Sequence, residues 1–188
     1  MKVLEFRYLS NEDDSDPSYF DGACWSRPYE YHNVSLVMSS ILEDGAKVHN
    51  TSWGFDGPHI KFKNKLEETY DCLHSDIRAS KLPNTCVYDI TKPPVDEWVG
   101  QYDAVVNIST VEEVRFDHVT VIQNLLSMVK EGGYLVITFD LPGLQLQRVE
   151  EMVGQKIEDC ESRLSGASSE YPNRKYTGLN CGLLMIQR

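Results

Sequence analysis

The sequence predicts an α/β fold: a mainly parallel sheet carrying helices on both faces. Two observations carry that prediction. Strand-like and helix-like segments alternate from Ala46 to the C-terminus, the pattern of a sheet built by crossover connections. The segment YDAVVNIS has a short continuous apolar centre, as expected of a strand buried on both sides. A chain of 188 residues is long enough for one domain with a full core and short for two.

The elements follow in order. Residues 1–21 end in the acidic run NEDDSDP and predict an N-terminal arm, which leaves 22–188 as the folded domain. In PYEYHNVSLVMSSILED, the residues Tyr31, Val34, Val37, Met38 and Ile41 recur at helical spacing, and Gly45 supplies a stop. AKVHNTS predicts a strand that breaks into the turn NTSWGFDG. PHIKFKNKLEETY is then a helix with Pro58 in its first turn. YDCLHSD and TCVYDIT are two further strands. The connections after them, IRASKLPN and KPPVDEWVGQ, leave little room for intervening helices.

YDAVVNIS is the fourth strand of this series. FDHVTVIQNLLSMVK follows as a helix with Val119, Ile122, Leu125, Leu126 and Val129 on one face, and Glu131-Gly132-Gly133 is its turn. YLVITFD is a fifth strand, LQLQRVEEMVGQKIED a helix, SGASSEYPNRKYTG a polar loop and LNCGLLMIQR a terminal strand. No internal repeat and no low-complexity tract interrupts them.

Charge and composition narrow the function. The formal net charge of −11 repels a phosphate backbone, and the basic residues form no local patch, so nucleic acid is a poor partner. The five cysteines lie far apart, without the short spacings of zinc or redox motifs, and predict reduced thiols. No apolar run approaches the ~20 residues of a membrane span. The opening MKVLEFRYLSNEDDSDP has too short an apolar stretch for a signal peptide, so a cytoplasmic protein is expected.

In parallel sheets ligands bind outside the carboxyl ends of the strands, where strand order reverses. That rule selects Asn50 to Gly57, Ser75-Asp76, Asp89-Ile90, Asn107 to Glu113, and Asp140. Polar residues stand at every one of these ends.

YDAVVNISTVEEV, a helix, and then VKEGGYLVITFD resemble the fourth and fifth strand region of class I S-adenosylmethionine-dependent methyltransferases. That pattern is a strand beginning Tyr/Phe-Asp, an ST-x-E-H segment and a GG-x-hydrophobic hairpin. Asp103, Ser109, Thr110, Glu112, Gly132 and Gly133 stand in those places. More narrowly, HNTSWGFDGPHIKFK and LHSDI resemble the methyltransferase module of algal-virus (chlorovirus) glycan synthesis proteins, which is similar to a rhamnose O-methyltransferase.

The resemblance implies a single Rossmann-like domain with a seven-stranded sheet, shortened after its second and third strands. It implies S-adenosylmethionine as cofactor, S-adenosylhomocysteine as product, and a glycan or small-molecule acceptor. A viral protein of the host cytoplasm, and a place within a larger multidomain glycosyltransferase, belong to the narrower match. In this alignment Asn50, Thr51, Ser52, Trp53 and Gly54 face the methionine part and ribose, with Gly54 allowing close backbone approach. Ser75 and Asp76 meet the ribose hydroxyls, Asp89 and Ile90 border the adenine, and Asn107, Ile108 and Ser109 line the sulfonium side.

Three departures stand out. Asn50 replaces the acidic residue of the glycine loop, Trp53 and Asp56 stand where glycine is frequent, and Glu112-Glu113 replaces the Glu-His pair. A sugar hydroxyl is a weak nucleophile and benefits from a positioned base. Glu113 is the first candidate because it takes the histidine's place, and His118 is the second; Glu112, Asp140 and His32 are the others.

CWSRPYEYHN concentrates Trp25, Arg27, Tyr29, Tyr31 and His32, a composition suited to stacking on and hydrogen-bonding a sugar, with Glu112 and Asp140 on the same side. The same aromatics also suit a helix packed into the core. No His/Asp/Glu cluster has metal-ligand spacing, so metal-independent transfer is expected. Three readings remain: a sugar O-methyltransferase, a methyltransferase for another small metabolite, and a methyltransferase-like binding module without catalysis.

Overall fold

The computed structural model describes residues 1–9, 15–20, 26–54, 57–140, 143–157 and 181–188. Trp25, Asp56 and the polar loop SGASSEYPNRKYTG lie outside the described residues. One seven-stranded sheet runs through the molecule. Its strands are β1 (Lys2–Leu9), β2 (Lys47–Thr51), β3 (Asp71–Asp76), β4 (Thr85–Val87), β5 (Tyr102–Ile108), β6 (Val129–Asp140) and β7 (Cys181–Gln187). Their spatial order is β1-β7-β6-β5-β2-β3-β4. Every pair from β4 to β6 is parallel, while β7 runs antiparallel to both β6 and β1.

Side-chain alternation along the central strands explains the two-sided core. On β5, Ala104 and Val106 face a layer formed with helix α1 (Arg27–Ile41) and helix α2 (Ile60–Glu67), which contribute Val34, Met38, Phe62 and Leu66. Val105 faces the opposite layer, where α3 (His118–Met128) and α4 (Leu146–Val153) bring Ile122, Leu125 and Val149. Burial on both faces is why β5 reads as a continuous apolar run. The expected sheet, with short helix-free connections 77–84 and 88–101 apart from one helical turn at Asp96–Trp98, is the one observed.

Two expectations are corrected. Lys2–Leu9, expected within an arm, forms edge strand β1, because Val3, Phe6 and Leu9 are fully buried against the sheet. Its backbone is closed off at Val3, whose N–H and C=O both bond the side-chain amide of Gln155. The second concerns Glu131-Gly132-Gly133, expected as a turn after α3. Pairing with β5 already begins at Val129, and register then jumps from Tyr102–Val129 to Ala104–Tyr134, so these residues form a bulge inside β6.

Gly133 is required in that bulge. A Cβ there would stand 2.6 Å from the carbonyl oxygen of Asp103 and 2.9 Å from Val129 Cγ1. Backbone cannot yield as a side-chain tip can. Gly133→Ala is therefore expected to destabilise the fold by about 1–3 kcal/mol, read as a lower urea midpoint.

Candidate active site

The chain runs outward from β2 through β3 to β4, then returns to lay β5 on the other side of β2. The carboxyl ends of β2 and β5 therefore form the switch point at which such sheets bind ligands. Backbone strain gathers there. Three described non-glycine residues have positive φ, and two of them follow these strands: Ser52 at 53° after β2 and Ser109 at 41° after β5. Each conformation costs about 1–2 kcal/mol, and such costs cluster at functional sites.

The turn after β2 is tied to β3. Trp53 N–H bonds the carbonyl of Ser75, and Gly54 N–H bonds Asp76 Oδ2 at 3.3 Å. Asp76 Oδ1 accepts from Arg78 N–H. This leaves a nearly buried carboxylate at the end of β3 with lone pairs to spare. Gly54 serves a different neighbour from the one expected. A Cβ on it would fall 2.5 Å from the ring of His59, so the close approach there is made by His59. That ring is fixed by Tyr31 Oη at 2.5 Å from Nδ1 and by an edge contact with Phe20 at 5.2 Å. Burial, with Arg27 adding positive charge, holds the His59 imidazole below its usual range.

Several expected cofactor residues lie inside the sheet. Asn50 is a buried β2 residue whose amide meets His74 Nδ1 at 3.2 Å, and Ser75 Oγ meets His49 Nε2 at 2.8 Å. Burial holds both imidazoles low, His49 at about 3. His49 and His74 were not anticipated from the sequence, since period-two burial on β2 and β3 treats any residue type alike. Thr51 Oγ1 donates to the Val106 carbonyl and accepts from Asn107 Nδ2. Asp89 accepts from both the N–H and the hydroxyl of Thr91, which keep its carboxyl low. Ile90 packs in the core, and Ile108 faces the α1 layer.

The ends of β5 and β6 hold a cluster that the sequence only half revealed. Glu30, on α1, is fully buried and accepts hydrogen bonds from Ser109 Oγ and from Thr138 Oγ1, the latter at 2.7 Å. Arg27 donates to its other oxygen. Burial would raise the Glu30 carboxyl, but the Arg27 charge and the two hydroxyls outweigh it and hold it low. Glu112, on the single-turn helix Val111–Glu113, accepts from Asp140 N–H at 2.6 Å. Burial pushes its carboxyl up to about 8, despite that bond, with the charges of Glu30 and Asp140 adding to the rise. Burial, then the Glu30 charge, pushes Asp140 up to about 6, against the pull of Arg27.

Glu113 points to solvent, whereas His118, expected on a helix surface, is 7% exposed with Nδ1 unpartnered. The described tyrosines of the aromatic segment turn inward. Tyr29 and Tyr31 are both buried, and Tyr31 stacks on Phe62 with ring centroids 4.1 Å apart. Both can be inside because the first turns of α1 are covered twice, by the strand ends through Glu30 and by Phe20 and α2 through Tyr31. Arg27 and His32 are half-buried, and His32 meets Tyr19 edge-on.

Buried polar atoms without a partner also collect at this end. Trp53 Nε1, Asn107 Oδ1, Glu112 Oε2 and Asp140 Oδ1 are such atoms, on the ends of β2, β5 and β6 and the turn after β5. An unmet buried polar atom costs about 1–3 kcal/mol, which a polar ligand reaching these strand ends would recover. Together with Asp76 at the end of β3, these residues fit a nucleoside-bearing cofactor, while Gly54 and Ser75 are already engaged within the protein. Among the described residues no group of three His, Cys, Asp or Glu could hold a metal ion, and no helix is long and apolar enough to cross a membrane.

The raised Glu112 carboxyl has a consequence for stability. Its folded value of about 8 lies above the ordinary 4.5, so the unfolded chain releases this proton first as pH rises. The stabilisation from neutral Glu112 is full below pH 4.5 and is lost by pH 8. Glu112→Gln is therefore expected to gain stability over the wild type at pH 8, with the gain vanishing near pH 4, in urea melts at the two pH values.

No family model matches the sequence, and no curated protein does. Solved structures match the fold. A chain of the complex between the Haloferax volcanii Trm112 methyltransferase activator and a methyltransferase superposes with a TM-score of 0.55 at 12% identity, over 85% of this chain and 90% of that one. The CMeT domain of the citrinin polyketide synthase gives 0.54 at 14% identity over 88% of this chain, which spans only 52% of that one. The cyclase SpnF gives 0.55 at 13% identity over 88% and 83%. Transferases and a cyclase thus share one architecture, so the likeness carries fold and leaves chemistry to the site. The chain has a seven-stranded, mixed-sheet, methyltransferase-like Rossmann fold.

Proposed function

We propose that this protein is an S-adenosylmethionine-dependent methyltransferase acting on a hydroxyl of a small acceptor at the carboxyl ends of β2, β5 and β6. The observation that carries this reading is the gathering of unpartnered buried polar atoms and two left-handed serines at the switch point. Asp76 would hold the ribose hydroxyls, with Asn107 and Trp53 Nε1 offering further polar contacts. When bound, the cofactor supplies an electrophilic methyl group on a sulfonium and leaves as S-adenosylhomocysteine.

The protein aligns the acceptor and manages its proton. Asp140, at about 6, is ionised near neutral pH and takes the hydroxyl proton. Glu112, at about 8, stays protonated beside it. Two carboxyls pushed to different values mark an acid and a base. Asp140 therefore replaces Glu113 as first choice of base, since Glu113 is exposed and Asp140 is half-buried.

For the acceptor we propose a sugar hydroxyl, rhamnose first, on the sequence resemblance. Among the described residues of the aromatic segment, Arg27 and His32 remain half-exposed to meet it. The test is mass spectrometry for a product heavier by CH₂, with rhamnose-containing glycans against a panel of small alcohols. Product from the alcohols alone would move the acceptor out of the glycan class. The His59 ring against Gly54 favours a second reading, a binding module without catalysis. That reading expects no product from any acceptor.

A further inference from the structure

Thr138 and Asp140 lie on the same face of β6, two residues apart, and Ser109 directly follows the neighbouring strand β5. One side chain from a third element reaches both hydroxyls. Glu30 is fully buried, in the first turn of α1, and its Oε1 accepts from Ser109 and from Thr138. Ser109 N–H in turn bonds the Thr138 carbonyl at 3.0 Å and its hydroxyl at 3.3 Å. A carboxylate is a poor choice for packing alone, since removal from water costs several kcal/mol unless its charge is used. We propose that Glu30 is the positioning residue of the strand-end site: it holds Ser109 in its left-handed conformation, and with Arg27 it sets the charge that Asp140 faces.

The inference rests on reading these strand ends as the catalytic end. The groups that bear on Asp140 can be named by element. Arg27 and Glu30 come from α1, and Glu112 and Glu113 from the single-turn helix after β5. The Cys181 thiol lies beside it on β7, where burial keeps it protonated. Among these Glu30 is the like charge with the largest influence on Asp140, and Arg27 opposes it. Removing the Glu30 charge takes away a repulsion and leaves Arg27 unopposed. Both changes make Asp140 a stronger acid.

The test follows carboxyl carbons by NMR through a pH titration of the full chain, a readout independent of any activity. In Glu30→Gln the Asp140 midpoint is expected to fall by roughly one unit, whereas Glu30→Asp, which keeps the charge, returns it toward the wild-type value. An unmoved Asp140 midpoint in Glu30→Gln overturns the proposal even if the protein methylates its acceptor. A shifted midpoint with no methylation leaves the proposal standing and removes the enzymatic reading instead. Should Glu30→Gln fail to fold, Ser109→Ala takes its place. Loss of that hydroxyl is expected to raise the Glu30 midpoint, and an unchanged Glu30 midpoint contradicts the assignment.

Discussion

Asp140→Asn is expected to lower the turnover of methyl transfer by about 10²–10⁴-fold, the usual contribution of a positioned general base. The amide keeps the size of the side chain and loses only the ability to take a proton. Cofactor affinity should change little, because Asp140 closes β6 while Asp76, proposed to hold the ribose, closes β3, three strands away in the sheet. The wild-type rate should rise with pH through about 6, where Asp140 loses its proton. Glu113→Gln should cause a smaller loss, acting only through its charge on Asp140. Stopped-assay kinetics with both variants check this, and full turnover in Asp140→Asn would remove it as the base.

Phe139→Ala is expected to cost about 3–5 kcal/mol of folding stability, enough to threaten the folded state. Phe139 is fully buried and lies parallel to Phe6 of β1, with centroids 6.3 Å apart. Its ring also fills the space over Gly182 on β7, where a Cβ would come within 2.7 Å. One side chain thus ties β1, β6 and β7 together. Urea denaturation should show a lower midpoint with an unchanged slope.

Periodicity explains how much of this molecule could be read in advance. β2, β5 and α1 have burial patterns dictated by the sheet and its two layers, and those patterns are written in the spacing of Val48, Val105, Val34 and Met38. β1 was not readable as a strand because its charged residues, Glu5 and Arg7, and the acidic run after it resemble a solvated arm. The site was legible only as strand ends. Rank order within it depends on burial, which placed Glu112 and Asp140 inside and Glu113 outside. Glu30 was out of reach altogether, since its partners are 79 and 108 residues away in sequence. Tyr31 and His59 are 28 residues apart, and nothing local to NTSWGFDG points to the ring that covers Gly54.

Whether the ends of β2, β3 and β5 take the cofactor is the central question, and calorimetric titration with S-adenosylmethionine answers it most directly. Saturable binding at one site per chain, weakened at least tenfold (about 1.4 kcal/mol) in Asp76→Ala, is the expected result. Absence of binding at millimolar cofactor, or binding unaffected by Asp76→Ala, would contradict the account.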